Sequence, residues 1–415
     1  MSGQLRADSP GHFPSEWPDR LSGLRVALVH DWLTGRRGGE KCLEILCEAF
    51  PDAKLFTLLH QPGSAGPTIE QLDIRTSPLQ RIPGIHRRYR SLLPLMPAAA
   101  RAWKVRDVDL VVSFSHCVAK AVRVPADVPH VCYCFTPMRY AWEGRQAYLD
   151  SWSHKPVRRA LAGWTLDRLQ SWDRQTADRV SHFIAISETV KRRIQHSYGR
   201  ESQVLQPPVD TVFYRPAPVE RESFYLVVSA LVPYKRIDQA ILACQAANRR
   251  LIVIGEGPDR ARLQALAGPG TQFLGWQSDE AIRDHLQRCR ALLFPGVEDF
   301  GIVPMEALGC GAPVIALNDG GVAETVDNSV GRLYEQPTSD GLQAAIESWE
   351  SEGCPNNPLV GRSRAEAFSC ASFRARLLNS LADILKQPLD CATLPVGGAH
   401  RPPWQPRTVR SKNPR

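Results

Sequence analysis

The chain has no run of about 18 or more uncharged apolar residues, so a membrane-spanning helix is not expected. Its opening, MSGQLRADSPGHFPSEWPDR, lacks the apolar core of a secretory leader. Eleven cysteines are present, but they form neither the paired CxxC spacing of a zinc site nor the compact framework of a stapled secreted domain. They read as reduced thiols packed as small hydrophobes in a cytoplasmic protein. Acid is missing from one long segment: Arg75 to Arg106 holds eight Arg or Lys and no Asp or Glu. The same segment carries Tyr89, Leu92, Leu93, Leu95, Met96 and Trp103. That mixture suits an anionic membrane surface or a phosphate-bearing acceptor, with a solvated helix face over a core as the alternative. No nucleic-acid-binding module accompanies it, so nucleic acid is not an expected partner.

What is present is ample material for two cores. A chain of 415 residues, 43% apolar and 23% charged, is soluble in composition and too long for one ordinary domain. LRVALVHDWL, AKLFTLL, VDLVVSFS, HVCYCF and SHFIAIS read as strands, with helices between them. Ser187 is placed to cap a helix over SETVKRRI. The proline-rich QVLQPPVDTVFYRPAPVERES is a connector. Beyond it FYLVVSAL, RLIVIG, TQFLG, ALLFPG and PVIAL alternate with helices, the pattern of a parallel sheet covered on both faces. The expected fold class is α/β: two doubly wound domains facing a cleft, with ligand outside the carboxyl ends of the strands. The expected division is a flexible segment 1–23, a first domain 24–215, a second domain 216–386 and a disordered basic tail 387–415.

The stretch FPGVEDFGIVPMEALGCG sets Glu298 in a loop after a strand and Glu306 near the start of a short helix. Pro304 suits the first helical turn, where its missing N–H leaves nothing unpaired. The amides of Phe300, Gly301, Ile302 and Val303 then converge on the loop as a receptor for anions or hydroxyl oxygens. Alone, the two carboxylates fit a strand-end charge and a first-turn acid. Their company favours a ligand: Lys235 before a helix, Gly255 and Gly257 at one strand-to-helix turn, Gly320 and Gly321 at another. Gly38 and Gly39 open a further helix, beside Arg36 and Arg37. Such turns admit phosphates. Asp107 and Asp109 have DxD spacing but lead straight into a strand, and read as structural charges; no metal is expected.

With SFSHCVAKAV, YCFTPMRYAW, HFIAISETV, PPVDTVF, LVPYKRID and VIGEGPDRARL added to that motif, the chain resembles the retaining GT-B glycosyltransferases of family 4. The likeness is to the branch of O-antigen and exopolysaccharide mannosyltransferases, and extends from about Leu24 to Lys386. It implies a GT-B fold whose C-terminal helix crosses back, no cofactor, and a nucleotide-sugar donor, with GDP-mannose favoured by the branch alone. It also implies Glu298 on the transferred sugar, Glu306 on the ribose diol, Lys235 on the diphosphate, and the amides of Phe300, Gly301 and Ile302 along the sugar and diphosphate. Gly38, Gly39, Gly257, Arg236 and Val303 complete the donor site; His116 and Arg139 are candidates for the acceptor side. The implied acceptor is a lipid-linked saccharide or polysaccharide at the inner face of the cytoplasmic membrane.

Two positions depart from the family pattern: Ala230 stands where an arginine is usual, and Phe135 where a histidine is usual. Arg236 is the candidate to supply the missing charge. The expected reaction is same-face transfer, with Lys235 and the loop amides stabilising the departing diphosphate, which takes the acceptor's proton. A sugar-nucleotide 2-epimerase and a non-catalytic sugar-nucleotide binder are the competing readings.

Overall fold

The computed structural model describes residues 21–150 and 155–386. Most of segment 1–23 and all of the tail 387–415 lie outside the described residues.

Seven parallel strands form the first sheet: β1 (Val26–His30), β2 (Lys54–Thr57), β3 (Asp73–Thr76), β4 (Leu110–Ser115), β5 (His130–Cys134), β6 (His182–Ala185) and β7 (Ser202–Val204). Their order is β3-β2-β1-β4-β5-β6-β7. The second sheet contains β8 (Phe224–Val228), β9 (Arg250–Ile254), β10 (Thr271–Gly275), β11 (Ala291–Phe294), β12 (Val314–Leu317) and β13 (Gly331–Tyr334), in the order β10-β9-β8-β11-β12-β13. Both orders reverse between the first strand and the fourth, and that reversal opens the crevice in which doubly wound sheets hold ligands. Central strands β1, β4, β5, β11 and β12 are buried along their whole length, as helices on both faces require.

Three strands went unread in the sequence: β3, β7 and β13, the last an edge strand of the second sheet. β3 (Asp-Ile-Arg-Thr) and β7 (Ser-Gln-Val) are short edge strands with little buried surface, so neither shows an apolar run or clean alternation. The helix Glu188–Tyr198 begins where its cap sets it: Ser187 Oγ accepts the Val190 N–H at 3.0 Å.

The last helix, Cys370–Ile384, returns to the first domain. Phe373 meets Tyr133 edge to face at 5.7 Å, Arg374 pairs with Glu48 at 3.4 Å, and Val209 N–H bonds to Phe368 O at 2.8 Å. One apolar cluster therefore runs from Leu28 and Tyr133 through Phe373 and Leu377 to Met305 and Leu308, joining the domains behind the cleft.

The basic segment 75–106 fits the second of its two sequence-based readings, a solvated face over a core. Tyr89, Met96 and Trp103 are buried in the second core and Leu92 and Leu93 pack against it, leaving Leu95 and Ile82 as the exposed large apolar side chains. Most of its apolar residues serve packing, and among the described residues no continuous apolar stripe faces outward there.

Candidate active site

The loop between β11 and the helix Ile302–Gly309 is held from three sides. Phe300 is buried and its ring meets Phe368 at 5.8 Å. Gly301 adopts φ +90°, a backbone conformation that favours glycine, and Pro304 follows in the first turn. Gly320 and Gly321 press against the backbone of Glu298, Asp299 and Phe300, and Gly321 N–H bonds to Glu298 O at 2.8 Å. Among the described residues no protein group accepts from the amides of Phe300, Gly301, Ile302 or Val303. They remain available at the positive end of a helix.

Lys235 ends a short 3-10 turn, Pro233–Lys235, and its ammonium is ion-paired with Glu298. Gly296, overlooked in the sequence, allows this: a Cβ there would stand 2.8–3.0 Å from the Lys235 backbone. Gly255 and Gly257 do similar work against the backbone of Ser229 and Leu231. These glycines, read as room for phosphate, are largely used to pack the loops of the second domain onto one another. Gly257 thus shapes the Lys235 loop. Arg236, the candidate to supply the charge absent at Ala230, has its Nε 3.4 Å from Asp238 Oδ1.

The first domain closes the other wall. Gly38 abuts the Ile302 side chain, whereas Gly39 faces the Phe135 ring and His30 Nε2. The Arg36 guanidinium pairs with Glu44 of the helix Gly38–Ala49 at 2.8 Å, and the Arg37 backbone N–H donates to Glu40 at 3.0 Å as part of that helix's cap. Lys41, also unforeseen, reaches Glu306 across the cleft at 3.8 Å. Glu306 is 7% exposed, and burial raises its pKa to about 7; Lys41 opposes the shift while Asp279 and Asp210 add to it.

His116 lies at the end of β4, near Trp32 (ring centroids 4.5 Å) and Phe135 (6.2 Å). Its Nδ1 is 3.1 Å from Asp31 Oδ2. Asp31 is fully buried and accepts the backbone N–H groups of His116, Cys117, Val118 and Ala119 at 2.6–2.9 Å. Burial lowers the His116 pKa, the Asp31 charge opposing it. A neutral imidazole that donates from Nδ1 to Asp31 keeps Nε2 as an acceptor. Asp109 is held in a two-pronged pair by Arg25 at 2.8 and 2.9 Å, which accounts for one half of the DxD spacing.

Two adjoining family models match this sequence: Glycosyltransferase Family 4 over residues 36–213, and Glycosyl transferases group 1 over residues 211–364. The chain belongs to the family 4, group 1 glycosyltransferases. A GDP-mannose-dependent alpha-(1-6)-phosphatidylinositol monomannoside mannosyltransferase of Mycobacterium tuberculosis is 27% identical over 252 residues, 53% of this chain and 60% of that one. Human alpha-1,3/1,6-mannosyltransferase ALG2 is 35% identical over 126 residues, 29% of this chain and 30% of that one. The chain thus spans well under two thirds of the length of these relatives. Among solved structures, Anabaena HepE in complex with UDP and glucose superposes with a TM-score of 0.64 at 18% identity, covering 86% of this chain and 99% of that one. Sucrose-phosphate synthase from Thermosynechococcus elongatus gives 0.66 at 16%, covering 87% and 99%. At such identities the likeness establishes the fold, two parallel-sheet α/β domains in the GT-B arrangement.

In this glycosyltransferase the motif loop is also a latch. Asp299 is gripped by two cations of the first domain: Arg139 at 2.5 Å and Arg193, which also holds Glu143 at 3.1 Å. Ser187 Oγ donates to Asp299 O at 2.5 Å, and Glu324 accepts the N–H groups of Glu188 and Thr189 at 2.9 and 2.8 Å. Arg139, expected on the acceptor side, thus reaches the donor loop, its guanidinium 5.0 Å from the Tyr234 ring centre. Asp299→Ala should loosen the closed arrangement, raising the radius of gyration in solution scattering and lowering kcat about tenfold through misplacement of the loop. Wild-type scattering and kinetics in this variant would refute the latch.

Proposed function

We propose that the chain is a retaining hexosyltransferase that moves a hexose, with mannose the first candidate, from a nucleoside-diphosphate sugar to a lipid-linked saccharide in cell-surface glycan synthesis. The observation carrying this reading is the pairing of Lys235 with Glu298 beside the unengaged amides of Phe300 to Val303, with buried Glu306 one helical turn on. Mannose and a lipid acceptor are supported by the mycobacterial relative, a GDP-mannose-dependent phosphatidylinositol monomannoside mannosyltransferase.

In this reading Lys235 and the loop amides stabilise charge growing on the diphosphate as the anomeric C–O bond breaks. The acceptor oxygen bonds to the anomeric carbon from the same face, and its proton passes to the departing phosphate. Glu298 holds sugar hydroxyls, Glu306 the ribose diol, and His116 Nε2 accepts a hydrogen bond from the acceptor hydroxyl. Closure through Asp299 excludes water, which would otherwise hydrolyse the donor. No metal is needed for these roles. Among the described residues no helix is long and apolar enough to cross a membrane; a lipid-linked acceptor is the reason for proposing a peripheral place at the cytoplasmic face.

Incubation with GDP-mannose or UDP-glucose and a lipid-linked acceptor, read by mass spectrometry, tests the proposal. A glycosylated acceptor with retained anomeric configuration is expected. Donor isomerisation without acceptor, or binding without turnover, would overturn it.

A further inference from the structure

The long helix Pro156–Ala177 has its apolar residues on two opposite faces. Leu166, Leu169 and Ala177 point inward and are buried, together with Asp173 and Thr176. Val157, Leu161 and Trp164 point outward, at 80%, 62% and 56% exposure. Their spacing of four and three residues puts all three on one stripe, with exposed Ala160 beside them. Elsewhere among the described residues, highly exposed apolar side chains such as Val212, Trp276 and Leu359 lie far apart in the chain. Isolated ones are ordinary; a row of three on one helix asks for a partner.

Charge indicates which partner. Arg168 is exposed on the stripe, Arg158 beside it and Lys155 at its start, and no Asp or Glu occurs from Lys155 to Leu166. The Arg168 guanidinium lies 4.4 Å from the Trp164 ring centre. The two nearby acids are engaged: Asp150 with Arg159 at 3.9 Å, Asp167 with Arg145 at 2.5 Å. Tyr148 on the adjoining helix Arg145–Asp150 and Tyr140 before it are both 39% exposed, meeting edge to face at 6.3 Å. Apolar stripe, tryptophan, tyrosines and flanking cations are the components of an interfacial helix on anionic lipid.

The helix is also tied to the cleft. Asp173, in its second half, accepts the Trp142 Nε1–H at 2.8 Å, and Trp142 lies three residues beyond Arg139 of the latch. Twelve residues separate Asp173 from Leu161, about 18 Å of helix.

We propose that the outward face of this helix seats the protein on an anionic bilayer, with Val157, Leu161 and Trp164 entering the headgroup–acyl boundary and Lys155, Arg158 and Arg168 meeting lipid phosphates. The inference deepens the reading of a membrane-borne acceptor and transfers the membrane surface from segment 75–106 to this helix. Flotation of the full chain with phosphatidylcholine vesicles, with and without 30% phosphatidylglycerol, tests it independently of turnover. The wild type should float with the anionic vesicles and lose binding as salt rises. The exposed double substitutions Leu161→Glu/Trp164→Glu and Arg158→Glu/Arg168→Glu should each weaken flotation at least about tenfold, with unchanged circular dichroism. Arg81→Glu/Arg101→Glu, in segment 75–106, should float like the wild type. Wild-type flotation of both helix variants overturns the inference, as does loss confined to the 75–106 variant. So does a wild type that ignores lipid and sediments as a dimer broken by Trp164→Glu. Vesicle binding without glycosyl transfer would sink the proposed reaction and leave this surface standing; transfer without vesicle binding would do the reverse.

Discussion

Lys235→Ala is expected to lower kcat by about two to three orders of magnitude, the size of effect seen when one preorganised stabilising group is removed from developing charge. Lys235 is the cation held against Glu298, and its loss also leaves that carboxylate without its partner where the diphosphate is expected to lie. Donor KM should therefore rise together with the fall in kcat. Glu298→Ala should separate the two effects, because it keeps the cation and removes the hold on the sugar: turnover falls while nucleotide affinity stays close to wild type. Arg139 provides residual positive charge near Tyr234, so Lys235→Ala should retain activity above background. Steady-state kinetics with the identified donor checks this. A kcat within threefold of wild type for Lys235→Ala would remove Lys235 from the reaction.

Glu306→Ala is expected to weaken donor binding about tenfold to a hundredfold, as loss of charge-assisted hydrogen bonds to a ribose diol would. The pH behaviour is more diagnostic. Burial raises the Glu306 pKa from 4.5 to about 7, so the folded protein keeps this proton over a range in which the unfolded chain has released it. Folding stability contributed by this group is full below pH 4.5 and declines up to about pH 7. The total is about 3 kcal/mol at 1.36 kcal/mol per pKa unit. Glu306→Gln removes that slope, and urea unfolding at pH 5 and pH 8 measures it. Nucleotide affinity should run the opposite way, rising as Glu306 ionises between about pH 6 and 8, and should be flat in the glutamine variant. Calorimetric titration with GDP and UDP reads this; an identical pH profile in the two proteins would remove Glu306 from the donor site.

Local signals were legible wherever a residue acts on its own neighbours. Ser187 caps its helix, Pro304 sits in the first turn of another, and the apolar strands of both halves declare a parallel sheet, because propensity, capping and strand burial are written within a few residues. Edge strands β3 and β7 left no such mark, since an edge strand with polar side chains buries too little to need a pattern.

Contacts between the domains were not legible. Lys41–Glu306, Arg139–Asp299 and Arg193–Asp299 join residues more than a hundred positions apart, and the sequence gives no rule for which charge meets which. Asp31 under His116 was hidden in the same way, as was the work of the glycines. A glycine turn shows that something approaches closely, but only the folded chain shows that backbone rather than phosphate fills much of that space. The sequence by itself determined the two-sheet architecture, the carboxylate loop and its helix. Tertiary structure decided what those carboxylates face, which domain supplies the cations, and which apolar stripe points outward. Periodicity reports that a face is apolar; the direction of that face depends on everything packed around it.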